Sequence, residues 1–173
     1  MSSRVAVLCT RPRSPYHDIE GADCFDLARD CRTFKGDAPV VAHPPCRSWG
    51  RLRRFAKPRA DEQEVAVFCL DAVRRCGGVL EHPEGSHLLR HLLGAFRGRV
   101  DAYGGRIVAL DQQAFGHRAR KRTWLYVVRR GLPVIELAFA SPASTVRLMG
   151  SAERERTPPA FARWLVDLAR GAV

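Results

Sequence analysis

A chain of 173 residues that is 46% hydrophobic can bury a sizeable core, and it reads as a single domain over residues 1–173. It contains no run of about 18 apolar residues and no signal-peptide core in "MSSRVAVLCT", which argues against a membrane partner and for a cytoplasmic protein. The net charge of +11 is carried by arginine, with only Lys35, Lys57 and Lys121 as lysines, and points to a polyanion such as nucleic acid as the partner.

In chain order, "RVAVLCT" is a short buried strand, and "DCFDLARD" holds a second strand ending near Asp26. "APVVAH" is a third, stopped by Pro44 and Pro45, which cannot continue a central strand. Cys46 therefore follows a strand's carboxyl end, the edge at which open α/β sheets bind ligands. From Asp61 the period becomes helical: Val65, Phe68, Cys69, Ala72 and Val73 share a face, and Gly77 with Gly78 ends the run.

"GVLEHP" is a strand broken by proline, with Glu81 at its end, and "SHLLRHLLGAF" is a helix capped by Ser86. "RIVALDQQAFGH" and "RTWLYVV" are two strands around a glycine and an arginine-rich turn. In "RERTPPAFARWLVDLARG", Thr157 is the expected N-cap, and Phe161, Trp164, Leu165 and Leu168 form one apolar face. Strands alternating with helices predict a three-layer α/β domain with a mostly parallel sheet.

The six cysteines include no CxxC pair, and in a reducing compartment Cys9, Cys24, Cys31, Cys69 and Cys76 read as buried thiols. Cys46 differs, because Arg47 and Arg51 follow it and a positive setting favours the nucleophilic thiolate. Glu81, at another strand end, can act as an acid or hydrogen-bond a ring nitrogen. Arginines cluster around Arg51, Arg53 and Arg54, around Arg118, Arg120 and Arg122, and at Arg154 and Arg156, either as phosphate contacts or as solvated turns. Trp49 reads equally as a base-stacking ring or as core.

A zinc site from His43 and Cys46 with the helical pair His87 and His91 is an alternative. A zinc deaminase signature, Pro-Cys-x-x-Cys, fails at Trp49. No metal is therefore expected.

"HPPCRSWG", "GGVLEHPEGSHLL" and "QQAFGHRARKRTWLYVV", in this order and at this spacing, resemble the catalytic core of DNA cytosine-5 methyltransferases, particularly the short, divergent ones of phages and prophages. The match covers about residues 39 to 128, with a weaker echo in "AERERTPPAFARWLVDLA". The resemblance implies a Rossmann-like methyltransferase-type fold in a bacterial or phage-infected host cytoplasm. It makes Cys46 the nucleophile at cytosine carbon 6 and Glu81 the group at ring nitrogen 3, with His82 and Pro83 in place of the family's Asn-Val. Carbon 5 is not nucleophilic until a thiolate adds at carbon 6, and a proton at nitrogen 3 stabilises the charge that develops.

Lys121 and Thr123 fall where the family's Gln-x-Arg-x-Arg motif has its two arginines, so Lys121 is assigned an orienting or phosphate-contacting role. Arg47, Arg51, Arg53, Arg118, Arg120 and Arg122 would then contact nucleic acid. S-adenosylmethionine is the implied methyl donor, with Pro44 beside it. Asp26 meets a ribose hydroxyl by analogy with nucleotide-binding α/β folds, or caps its own loop.

Two features depart from the family. Its Phe-x-Gly-x-Gly cofactor loop has no counterpart in "VAVLCTRPRSPYHDIEGADCFD", and only "RRGLPVIELAFASPASTV" stands where a target-recognition domain is normally inserted. That domain is thus minimal or lacking, which leaves recognition to a homodimer or another partner, or makes it unnecessary for single-stranded DNA or a cytosine nucleotide. Duplex DNA would require base flipping. Two other readings stand beside this one: a nucleotide-processing transferase or glycosylase without a methyl donor, and a non-catalytic methylase homologue that binds nucleic acid with strong salt dependence.

Overall fold

The computed structural model describes residues 4–93, 100–129, 144–145 and 149–172, with the backbone alone at 91–93, 144–145 and 151–152. β1 (Val5–Leu8) is buried along its whole length, as expected of an apolar strand covered on both faces. β2 (Ala22–Phe25) and β3 (Val40–Ala42) lie parallel to β1 on either side, and β4 (Gly78–Pro83) runs parallel to β3.

β7 (Arg122–Val128) is antiparallel to β4 and to β5 (Gly105–Asp111), so the six-stranded sheet has the order β2-β1-β3-β4-β7-β5. It is a mixed, mostly parallel α/β sheet. Two short strands, β6 (Ala119–Arg120) and β8 (Ser144–Thr145), pair beside it.

Strand side chains alternate between faces, and two cores result. Ala6, Leu8, Ala42 and Leu80 join Val65, Cys69, Leu70 and Val73 of α1 (Glu62–Cys76) and Leu88 of α2 (His87–Leu93). Val5, Val7, Val41, Val79 and Leu125 join Phe161, Leu165 and Leu168 of α4 (Pro159–Arg170) on the other face. Each fully buried side chain of this size contributes about 1.5–3 kcal/mol. A further short helix, α3, spans Ser151–Arg154.

The carboxyl ends of the parallel strands are shaped by local rules. β2 stops at Phe25, one residue before Asp26, because Asp26 Oδ1 accepts the Ala28 and Arg29 amides at 2.8 and 2.9 Å and folds the chain away. Gly78, at φ +118, passes so close to β3 that a Cβ would lie 2.0 Å from the Val40 carbonyl oxygen. The α4 cap is Pro158 rather than Thr157. A residue before proline is pushed into extended conformation, so Pro158, preceding Pro159, is the last non-helical residue. Among the described residues no helix is long and apolar enough to cross a membrane. Of the stretch 129–146, expected to stand in place of a recognition domain, residues 130–143 and 146 lie outside the described residues.

Candidate functional site

β3 and β4 are neighbours in register, Ala42 opposite Leu80, so the residues that follow emerge side by side at one sheet edge. His43 and Glu81 meet there, with Nδ1 3.1 Å from Oε2. The other carboxylate oxygen, Oε1, accepts from Gln112 Nε2 and Thr123 Oγ1, each at 3.2 Å. His43 Nε2 lies 2.7 Å from the Tyr16 hydroxyl. Burial, followed by the charge of Glu81, raises the Tyr16 phenol well above its usual range, so it keeps its proton. A carboxylate only accepts, hence His43 Nδ1 donates to Glu81.

Glu81 is buried, and burial alone would raise its carboxyl. The hydrogen bond from His43 and the positive charges of His43, Lys121 and His82 outweigh that cost and hold it at about 2. It is therefore ionised at neutral pH. His82 borders the same cavity but is fully buried, contacts Ser86 Oγ through Nδ1, and is lowered to about 4 chiefly by burial.

Pro44 and Pro45 lead to Cys46, whose carbonyl accepts the Trp49 and Gly50 amides at 3.1 and 2.7 Å. These bonds fix a tight turn, which leaves the thiol on the wall of a cavity of about 1490 Å³ shared with His43, Glu81, Tyr16 and Lys121. Burial raises the Cys46 thiol, the Glu81 charge raises it further, and Lys121 opposes both. Lys121 is itself lowered, first by burial, while Glu81 and Cys46 favour its charge. Its Nζ donates to the Arg156 carbonyl at 3.1 Å.

The expectation that Arg47 and Arg51 would activate the thiol needs correction. Arg47 is paired with the fully buried Glu62, and Arg51 borders a separate recess with Glu84, His87 and Trp124. The cation that favours the Cys46 thiolate is Lys121. The basic fringe is also committed: Arg118 to Glu153, Arg120 to Asp111 and Arg122 to Glu84. Arg51, Arg53 and Arg54 make no ion pair with any described residue, and exposed Leu52 and Phe55 lie among them. Trp49 packs against the core below α1.

The same cavity extends past Pro44 to Asp26 and Leu27, the latter 75% exposed. Asp26 sits at the β2 end as expected, and its carboxyl is lowered by the Arg29 and Ala28 amides. Its Oδ2 accepts from no described residue. The zinc alternative is not assembled: both His43 nitrogens are occupied, His87 lies in the separate recess, and the His91 side chain is outside the described residues.

Sequence reading missed Tyr16, Gln112 and the role of His43. Only His43 carried a local signal, its place at a strand end ahead of two prolines. No protein-family model matches this chain, and no curated protein matches it.

Proposed function

We propose that the chain is a minimal cytosine-5 methyltransferase-type enzyme on a Rossmann-like scaffold, acting on DNA or a cytosine nucleotide. The observation that carries this reading is the placing of Cys46, just beyond β3, and Glu81, within the adjacent β4, on one cavity, with Lys121 influencing the charge of both. Cys46 adds to carbon 6 of cytosine as its sulfur gives up a proton. The electron pair moves through the ring to nitrogen 3, which takes a proton, so the step is neutral overall. Glu81 is the group that receives nitrogen 3, and His43, donating to its other side, steadies the carboxylate and can share the proton.

Asp26 Oδ2, Leu27 and Pro44 would hold S-adenosylmethionine: a free carboxylate oxygen for ribose hydroxyls, an exposed apolar side chain for a purine, and a rigid wall. That cofactor supplies an electrophilic methyl group for carbon 5. The absence of a glycine loop between Cys9 and Ser14 is offset by the open cavity along that edge. Arg51, Arg53 and Arg54 supply free charge for phosphate, with Leu52 and Phe55 as apolar contacts for unstacked bases.

One observation favours a second reading. A thiol held protonated beside a firmly ionised carboxylate also suits a nucleotide-processing transferase or glycosylase in which Glu81 is the nucleophile.

Covalent trapping separates the two. Wild type and Cys46→Ser are incubated with single-stranded DNA containing 5-fluorocytosine, with and without S-adenosylmethionine. Fluorine cannot leave carbon 5 as a cation, so a methylated adduct is retained through denaturation. A cofactor-dependent complex with wild type alone is expected. Base or sugar transfer that survives Cys46→Ser would sink the methylase reading in favour of the second. Salt-sensitive binding by both proteins, with no adduct and no nucleotide product, would leave a binding module.

A further inference from the structure

A second group of thiols includes two, Cys9 and Cys31, that line the same cavity as Cys46. Cys9 follows β1, Cys31 opens the 3-10 turn Cys31–Thr33 after β2, and Cys69 lies midway along α1. Their sulfurs all fall within 4.8 Å of one another, and Cys9 and Cys69 are 3.6 Å apart. We propose that Cys9, Cys31 and Cys69 form a binding site for one thiophilic d10 cation, Zn²⁺ or a soft relative.

Geometry carries the assignment. Zinc–sulfur bonds of about 2.3 Å put the sulfurs of a tetrahedral site about 3.8 Å apart. The cluster therefore needs shifts of less than about 1 Å to close on a metal. Three separate elements supply the ligands, which is what a cross-link across the sheet edge requires. Cys69 is fully buried, whereas Cys9 and Cys31 line the large cavity. A metal held there would meet protein on one side and keep its fourth position toward the cavity for water or a small ligand.

One further feature agrees. Cys9 is the one described non-glycine residue at positive φ, 63°, and this left-handed conformation turns the chain at the end of β1. Binding of M²⁺ forms three metal–sulfur bonds and releases the thiol protons to water, with no change in oxidation state. The site uses none of the residues assigned to the chemistry proposed at Cys46, although it borders the same cavity.

The full chain, reduced anaerobically and stripped with chelator, is titrated with Co²⁺ and Cd²⁺ as spectroscopic stand-ins and with Zn²⁺ in competition. One equivalent per chain and a thiolate-to-metal charge-transfer band are expected. Cys9→Ser and Cys31→Ser each lower affinity by more than about 100-fold, beyond the loss typical of changes outside the ligand set. Cys24→Ser and Cys76→Ser retain the band. Cys46→Ser also retains it while losing covalent trapping, so the two sites fail separately.

Thermal melts of wild type with Zn²⁺ and with chelator provide a readout that needs no variant, and a metal-dependent rise is expected. The proposal is overturned by a missing stoichiometric band, by a band that survives Cys31→Ser, by a melting temperature indifferent to Zn²⁺, or by a Cys9–Cys69 disulfide in the anaerobic protein.

Discussion

Arg51, Arg53 and Arg54 follow the proposed nucleophile, while Arg118 and Arg120 precede, and Arg122 opens, the strand that carries Thr123. The second segment is tied to the protein: Arg118 to Glu153 at 2.9 Å, Arg120 to Asp111 at 3.2 Å and Arg122 to Glu84 at 2.7 Å. The first makes no ion pair with any described residue and carries the exposed Leu52 between its charges and the exposed Phe55 directly after them. A count of charges treats the two segments alike. A phosphate approaching the second must displace a carboxylate, whereas at the first it meets guanidinium groups that no described carboxylate holds, so the segments are suited to different work.

The largest effect is expected where the tied segment reaches the chemistry. Lys121→Met removes the cation that opposes Glu81 at the Cys46 thiol, so adduct formation at neutral pH falls on the order of 100-fold. Its pH profile moves to the alkaline side, because the already raised thiol pKa rises further. A profile that does not move would reduce Lys121 to the same structural role as its arginine neighbours.

Stability sharpens the contrast next. Asp111 is buried and accepts the Lys121 and Gln113 amides at 2.8 and 3.1 Å besides Arg120 Nε. Asp111→Ala strands those donors and costs about 1–3 kcal/mol in urea unfolding. Alanine at Arg51, Arg53 or Arg54 stays within about 0.5 kcal/mol. Equal losses from the two segments would erase the distinction.

Nucleic-acid affinity should run the other way. The triple change Arg51, Arg53 and Arg54 to alanine lowers the salt slope of single-strand binding by about 2, at roughly 0.7 per phosphate contact. Alanine at Arg118, Arg120 and Arg122 lowers it by less than about 1. Filter binding across a salt series reads both values, and a steeper fall for the tied triple would reverse the assignment.

Acid unfolding is the mildest probe, and it reads the site between the segments because guanidinium groups do not titrate in that range. His82 is lowered from 6.5 to about 4, so the unfolded chain binds its proton first, and the associated stability is full above 6.5 and lost as pH falls toward 4. Glu81 is lowered from 4.5 to about 2, and its contribution is full above 4.5 and lost as pH falls toward 2. Urea midpoints against pH should decline in these two windows, and Glu81→Gln should flatten the lower one. A lower limb unchanged by that substitution would show that Glu81 does not gain its stability from ionised contacts.

Much of the scaffold was legible from local pattern. The apolar runs of β1 and β3 and the helical period of α1 lie where their spacing placed them. Cys46 follows the end of β3 because Pro44 and Pro45 cannot continue a sheet, but Pro83 does not stop β4: the strand runs through Glu81 to Pro83 against β7, and at Glu81 only the parallel pairing with β3 has ended. The carboxylate's partners were not legible. His43 joins Glu81 across 38 residues and Tyr16 across 27, and no local periodicity relates them. Arg47 appeared to belong to Cys46 by adjacency, yet α1 presents Glu62 to it.

The sequence by itself determined the class of fold and which chemically active side chains reach the sheet edge, because strand length, helix period and proline breaks act within a few neighbouring bonds. Only the tertiary structure decided which arginines remain free, why Glu81 is ionised while Cys46 keeps its proton, and that Cys9, Cys31 and Cys69 converge. Those properties depend on desolvation and on contacts closed between distant segments, which exist only once the sheet and its two helical layers have packed.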